Sequence, residues 1–352
     1  MRIALVSDAW APQVNGVVRT LKATVDELRR RGHAVRTITP EQFRTLPCPT
    51  YPEIRLAFGS GSAVAAALAR HAPDAVHIAT EGPLGWAARR WCLRAGRPFT
   101  TSFHTHFAQY LAIRTRLPAG LFWPAIMRFH APAARVFAAT AALEAELARH
   151  GLARTHRWSR GVDTALFSPT AAPDARIAAL PRPILLSVGR VAVEKNLGAF
   201  LDAPAPGSKV VVGDGPARAR LAKTYPRVSF TGALHGPALA GAYAAADAFV
   251  FPSLTDTFGL VMIEALASGL PVAAFPVRGP LDVLGADGCG KNGAPVGALD
   301  ADLGRAIARA LRLSRADCVA EAERFSWRRC TDQFVAGLAG WAAAPHRALA
   351  RR

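Results

Sequence analysis

Short apolar runs alternate with longer amphipathic stretches along the whole chain. In the first 160 residues, Ile3–Val6, Ala34–Ile38, Ala75–Ala79, Phe99–Phe103 and Arg135–Ala139 read as buried strands. The stretch Val17–Arg31 shows how the segments between them read. Val18, Leu21, Val25 and Leu28 fall at helical spacing, arginines fill the last turn and Gly32 marks the stop, while Lys22, Asp26, Arg29 and Arg30 form a solvated face. Strand, helix, strand order of this kind predicts a parallel sheet covered on both faces. After Pro181-Arg182-Pro183 a second series begins, with strands predicted at Ile184–Val188, Val210–Val212, Val228–Phe230, Ala248–Phe251 and Val272–Phe275. The chain is therefore α/β, with two Rossmann-like domains expected at 1–160 and 161–325. The irregular Pro- and Ala-rich stretch Trp158–Pro183 reads as their linker. An amphipathic stretch from Phe325 through Trp341 predicts a helix within 326–352 that returns to the N-terminal domain.

Phe258–Val277 contains one charge, Glu264, over a length that could span a membrane. Gly269-Leu270-Pro271 divides it into a helix near 259–268 and a strand near 271–275, the pattern of a buried βαβ unit.

Composition narrows the class. With 51% apolar and 19% charged residues in 352, the chain is a well-packed globular protein, which excludes disorder, collagen-like repeats and a small disulfide scaffold. Five cysteines without a C-x-x-C pair indicate neither a disulfide framework nor a zinc site, and a reducing cytosol fits. The run Ile3–Val6 is too short for a signal-peptide core. The net charge of +18 points to an anionic partner or to an arginine-rich composition bias; most of the excess lies in the first 160 residues.

Open parallel sheets bind ligands at the carboxyl ends of their strands, so the loops there carry the candidate chemistry. After the first strand comes Asn15-Gly16, running into a helix N-terminus that suits an anion. After the strand at 184–188 comes Gly189-Arg190 with Glu194-Lys195-Asn196. A guanidinium fork and an ammonium together suit a pyrophosphate. The turn Val212-Gly213-Asp214-Gly215-Pro216 allows close approach of backbone to a ligand but equally a simple chain reversal. The stretch from Phe251 to Val272 is the most specific. Asp256 lies in a loop, Phe258, Gly259 and Leu260 open a helix with free N–H groups, and Glu264 follows eight positions after Asp256 on an otherwise apolar helix. A carboxylate on such a face needs a partner, which ribose hydroxyls would supply.

With Glu81-Gly-Pro-Leu-Gly85, Ser102-Phe-His104-Thr-His106-Phe and Arg160-Gly161-Val-Asp163 added, the sequence resembles the retaining glycosyltransferases of family 4 over essentially its whole length. In particular it resembles the bacterial lipid-directed GDP-mannose-dependent α-mannosyltransferases and related glycolipid synthases. The resemblance implies the GT-B fold, two Rossmann-like domains facing across a cleft, the first binding acceptor and the second the nucleotide-sugar. It further implies that Arg190 and Lys195 bind the diphosphate, Glu264 the ribose and Asp256 the donor-sugar hydroxyls, and that His104 faces the reacting sugar. Gly16, Gly189, Gly213, Phe258, Gly259 and Leu260 would line the donor, and Asn15, Glu81, His104 and His106 the acceptor. The family usually has Glu where Asp256 stands, which bears on the donor sugar. No Asp-x-Asp motif accompanies the diphosphate site, so no metal is expected. Retention in this family is attributed to front-face attack assisted by the departing phosphate, without an enzymatic nucleophile.

The expected acceptor is a membrane lipid or glycolipid such as a diacylglycerol glycolipid. Phe107, Tyr110, Leu111, Leu121, Phe122, Trp123, Ile126 and Phe129 interleave with Arg114, Arg116 and Arg128, as an interfacial contact with an anionic membrane requires. The same aromatics could instead form core. The expected location is cytoplasmic, at the inner face of the membrane. Three alternatives stand beside this reading: a UDP-sugar donor, a sugar-nucleotide epimerase, and a nucleic-acid-binding protein suggested by charge alone. The sequence has no recognition-helix, zinc or RNP signature for nucleic acid, and the absence of G-x-G-x-x-G after the first strand disfavours a dehydrogenase.

Overall fold

The computed structural model describes residues 1–13, 15–48, 51–104, 117–256 and 258–339. They contain two six-stranded sheets, each fully parallel. The first comprises β1 (Arg2–Val6), β2 (Ala34–Ile38), β5 (Ala75–Ile78), β6 (Thr100–Phe103), β7 (Arg135–Ala138) and β8 (Thr155–Arg157), in the order 2-1-5-6-7-8. Between β2 and β5 the chain forms an antiparallel pair, β3 (Thr45–Cys48) with β4 (Tyr51–Ala57). The second sheet comprises β9 (Ile184–Val188), β10 (Ser208–Val212), β11 (Ser229–Gly232), β12 (Ala248–Phe251), β13 (Val272–Ala274) and β14 (Gly297–Leu299), in the order 11-10-9-12-13-14. In each sheet the order reverses once, between β1 and β5 and between β9 and β12. Such a reversal opens a crevice at the strand ends, because the two following helices lie on opposite faces.

The apolar periods translate directly into packing. Ile3, Leu5, Val6 and Ile78 are fully buried in the first sheet, and Leu185, Phe249 and Val250 in the second. Val18, Leu21, Val25 and Leu28 form the buried face of the helix Gly16–Arg30. The run at 258–277 divides as expected into the helix Leu260–Ala267 and β13, with Gly269 at φ +72 making the reversal between them. No helix of the described residues is long and apolar enough to cross a membrane.

Contacts divide the chain into two compact units: Met1–Ser159 with the described residues from Cys330 on, and Arg160–Arg329. The stretch read as a linker is mostly part of the second unit. Phe167 and Ile177 are buried, Phe167 meets Tyr243 edge to face at 5.6 Å, and Gly161 lies so close to Trp327 that a Cβ there would clash. Pro and Ala marked irregular backbone there, and irregular backbone is not the same as unpacked chain. The aromatic stretch also divides. Trp123, Ile126 and Phe129 are buried in the first unit's core, whereas Leu121 is 63% exposed and Arg128 is exposed. The first three therefore belong to no surface patch, and Phe107, Tyr110, Leu111, Arg114 and Arg116 lie outside the described residues.

Residues from Cys330 on close the back of the first sheet. Phe334 lies 4.8 Å from His77 and 5.0 Å from Trp158, ring centre to ring centre, and Gly337 admits the edges of His156 and Phe137. His77 is wholly buried between Thr100 and Ser102, whose hydroxyls lie 2.8 Å from its two ring nitrogens. Burial pushes its pKa down from 6.5 to about 3. The unfolded chain thus binds a proton near pH 6.5 that the folded chain refuses, so this group's contribution is complete above pH 6.5 and is lost as pH falls toward 3. It amounts to on the order of 5 kcal/mol. His77→Gln is expected to be less stable than wild type at neutral pH yet to lose less stability between pH 6.5 and 4 in denaturant titrations. Parallel pH profiles would count against it.

Candidate functional site

The second unit gathers most of the sequence candidates at the β9/β12 reversal. Beyond β9 the backbone continues through Gly189, whose N–H donates to Val212, while the N–H of Val191 donates to Asp214. The loops after β9 and β10 are therefore zipped together. Glycine is required there: a Cβ on Gly213, at φ +146, would stand 1.8 Å from the carbonyl oxygen of Gly189. On this platform Arg190 extends into solvent with its side chain 62% exposed, 4.0 Å from Glu194. Asn196 turns the chain in the left-handed region and ties it to the next loop through a 3.1 Å bond to the carbonyl of Pro252. Across the reversal the ammonium of Lys195 donates to the Asp256 carboxylate at 2.6 Å. The two residues expected to grip diphosphate and sugar thus neutralise each other here.

Glu264 is 2% exposed and accepts a 3.0 Å hydrogen bond from the Tyr243 hydroxyl. The partner that its burial demanded includes a protein phenol. Gly259, at φ +81, starts the helix Leu260–Ala267 and lets it pass closely over Phe251, while Phe258 is buried edge-on to Phe325. Leu260 opens the helix directly after the loop that carries Asp256, and the N–H of Met262 is already bonded to the carbonyl of Gly259 at 3.0 Å.

In the first unit the β1/β5 reversal holds a buried acid, Asp8, just beyond the apolar run Ile3–Val6. Asp8 accepts from the backbone of Leu84 at 2.9 Å, from that of Gly85 at 3.2 Å and from the Thr80 hydroxyl at 3.1 Å. It closes the N-terminus of the helix Pro83–Arg94 from the neighbouring strand, and Gly82 leaves the room. Burial lifts its pKa from 3.8 to about 6 against the pull of those donors, with Glu81 adding repulsion. The Glu81 carboxylate lies 3.1 Å from one ring nitrogen of the buried His130, and the other nitrogen of that ring lies 2.8 Å from the Thr101 hydroxyl. His104 follows β6 and sets its ring edge-on to Trp158 at 5.6 Å. His106 lies outside the described residues. Asn15 caps the helix Gly16–Arg30 by accepting from Val18 at 3.0 Å, so its side chain has a structural duty at the position expected to face acceptor.

Asp8, His130 and Tyr243 were not singled out from the sequence. Their signal in the sequence is the same as that of Glu264, a polar residue within or beside an apolar segment. Among the described residues no group of three or more His, Cys, Asp or Glu is placed to hold a metal ion.

Residues 14–166 match the family described as Glycosyltransferase Family 4, and residues 182–312 match Glycosyl transferases group 1. A GDP-mannose-dependent alpha-mannosyltransferase of Mycobacterium tuberculosis is 34% identical over 309 residues, covering 81% of each chain. An alpha-monoglucosyldiacylglycerol synthase of Streptococcus pneumoniae is 27% identical over 78% of this chain and 71% of its own. Among solved structures, a sucrose-phosphate synthase from Thermosynechococcus elongatus superposes with a TM-score of 0.70 over 95% of this chain and 97% of its own, at 23% identity, a likeness of fold. The two parallel sheets and this likeness give the chain the GT-B fold, and the family matches make it a glycosyltransferase. The chain belongs to glycosyltransferase family 4.

Proposed function

We propose that this enzyme transfers mannose from GDP-mannose to a membrane lipid or glycolipid, with retention of configuration and without a metal ion. The observation that carries the reading is the Lys195–Asp256 pair beside Arg190 at the β9/β12 reversal. An arriving diphosphate offers Lys195 a partner of higher charge than one carboxylate, which releases Asp256 to accept from sugar hydroxyls. Arg190 and the N–H groups at the start of the helix Leu260–Ala267 share the charge that develops on the leaving group, doing what a metal ion would otherwise do. Glu264 receives the ribose hydroxyls, with Tyr243 fixing its orientation. As the bond from the anomeric carbon to phosphate oxygen breaks, its electron pair goes to GDP. The acceptor hydroxyl bonds to the same face and gives its proton to the departing phosphate oxygen.

The first unit is the proposed acceptor side, with Glu81 and His104 on it. A lipid acceptor is supported by the name of the Streptococcus pneumoniae relative and by the basic excess of this half of the chain, which suits peripheral attachment to the anionic inner face of a membrane. No nucleic acid is part of this reading.

Thermal denaturation with GDP, UDP, ADP and their sugar conjugates, all in EDTA, tests it. GDP-mannose at 100 times its Kd is expected to add about 2.7 kcal/mol to the second unit. Mannose transfer to a diacylglycerol glycolipid in vesicles should follow under the same conditions. A response to a UDP-sugar alone would replace the donor, conversion of donor without acceptor would indicate an epimerase, and steeply salt-dependent DNA retention without any nucleotide response would overturn the enzyme reading.

A further inference from the structure

Glu81 is held more firmly than a partly exposed glutamate needs to be. It stands between β5 and the helix Pro83–Arg94, in the loop at the carboxyl end of the strand. Asp8 grips that loop on both sides of Glu81: one carboxylate oxygen accepts from the backbone of Leu84, and the other from that of Gly85 and from the Thr80 hydroxyl. Side chains on the two glycines would break the turn. A Cβ on Gly82 would stand 2.3 Å from the Asp8 carboxyl carbon, and one on Gly85 2.0 Å from the carbonyl oxygen of Thr80.

The tip of the side chain is fixed as well. Its Oε1 lies 3.1 Å from Nε2 of His130, and Nδ1 of that ring lies 2.8 Å from the hydroxyl of Thr101 on β6. An ionised carboxylate only accepts, so it fixes a hydrogen on the nitrogen that faces it. The Thr101 hydroxyl, able to donate or accept, suits the other nitrogen whether or not that one carries a hydrogen. The ring has no room to swing away. His130 and Thr101 are fully buried, and Phe129 and Phe103 flank the imidazole at 5.0 and 5.8 Å between ring centres. The Glu81 side chain is 14% exposed, and among the described residues its Oε2 makes no hydrogen bond.

We infer that Oε2 of Glu81 accepts a hydrogen bond from a hydroxyl of the acceptor headgroup, and that His130, backed by Thr101, is the positioning residue that aims it. The inference rests on the reading of the first unit as the acceptor side. Open parallel sheets take ligands at a strand-order reversal, and Glu81 stands at the β1/β5 reversal. Any acceptor of a glycosyl group presents hydroxyls. Asp8 and Glu81 repel each other, so a neutral donor that spreads the charge of Glu81 is favoured there. Such a donor need not displace His130, because the imidazole occupies the other oxygen. Freezing a long side chain costs rotamer entropy, which an ion pair open to solvent seldom offsets. A glutamate ordered before the ligand arrives has already lost that freedom, so more of the new hydrogen bond's strength goes into binding.

Transfer from saturating GDP-mannose to a diacylglycerol glycolipid in vesicles tests the assignment through the acceptor KM. Glu81→Ala is expected to raise that KM by about 10–100-fold, the range for a hydrogen bond to a charged group, with kcat changed by less than about threefold. His130→Asn keeps an amide toward Thr101 but falls short of Glu81, and should raise the KM by about tenfold. His130→Gln reaches Glu81 with an amide N–H and should stay within about threefold of wild type. A residue that acts through Glu81 adds little once Glu81 is gone, so in the Glu81→Ala background His130→Asn should change the KM by less than about twofold. Thr101→Val removes only the hydroxyl behind the ring and should raise the KM by about threefold; it carries the test of His130 if neither variant at that buried position folds. Effects of Glu81→Ala and His130→Asn that multiply, equal KM values in His130→Asn and His130→Gln, or an acceptor KM left at the wild-type value by Glu81→Ala or Thr101→Val would overturn the assignment while leaving transfer itself in place. Absence of transfer by wild type would instead overturn the acceptor reading, and this inference with it.

Discussion

Lys195→Ala is expected to lower kcat for sugar transfer by about 10²–10³-fold, the loss typical of removing one group that stabilises a developing anion. Two effects combine. The departing diphosphate loses a cation that approaches from the β9 side, and Asp256, now without its 2.6 Å partner, turns from a sugar ligand into an uncompensated negative charge beside phosphate. The second effect makes the substitution worse than simple deletion, and it gives the test its specificity. In a double-mutant cycle, Lys195→Ala with Asp256→Ala should cost clearly less than the sum of the two single losses, because each single variant strands the charge of the other. Single-turnover rates with saturating donor separate this from weakened binding. Strict additivity of the two losses would mean that the pair does not act as a unit in catalysis, and turnover near that of wild type in Lys195→Ala would remove Lys195 from the site.

Gly213→Ala is expected to abolish measurable nucleotide binding and to lower the stability of the second unit by about 2–3 kcal/mol. The added methyl would need space 1.8 Å from the carbonyl oxygen of Gly189, and the backbone at φ +146 is one that side-chain-bearing residues rarely adopt. Neither loop can yield alone, because Gly189 and Val191 donate across the gap to Val212 and Asp214 and hold the two loops in register. Relief must therefore displace the segment that presents Arg190. Gly198→Ala is the control. It sits on the helix Leu197–Asp202 in the same unit with nothing within 4 Å of the new methyl, and should leave both stability and binding near wild type. Urea titration and nucleotide calorimetry on the two variants read the difference. Intact binding in Gly213→Ala would show that the platform can rearrange at little cost.

Much of the fold was legible in the sequence because its elements are marked locally. The helix Gly16–Arg30 and strands β1, β2, β9 and β12 follow from periodicity and stop signals within each segment, and β13 from the Gly269-Leu270-Pro271 break. The antiparallel pair β3–β4 and the short strands β8 and β14 carry no comparable signal. Tertiary context makes them strands: β8 and β14 each complete the outer edge of a sheet. Trp123, Ile126 and Phe129 show the opposite limit. Their alternation with arginines fitted a membrane face as well as it fitted a helix with one buried side, and only the packing of the first unit puts them inside.

The candidate site divides the same way. Residue types and spacing by themselves marked Arg190, Lys195, Asp256 and Glu264 as unusual, since cations in a strand-end loop and a carboxylate on an apolar helix are conspicuous one segment at a time. Which group meets which was not contained in any segment. Lys195 finds Asp256 61 residues away because β12 pairs with β9, and Asp8 reaches the backbone of Leu84 76 residues away because β5 pairs with β1. Strand order is set by the helices that cover each sheet, a property of the whole unit. A pairing energy between two charges depends on the few ångströms that this order fixes. The sequence determined which residues were costly enough to require partners, and the tertiary structure alone decided which partners they have.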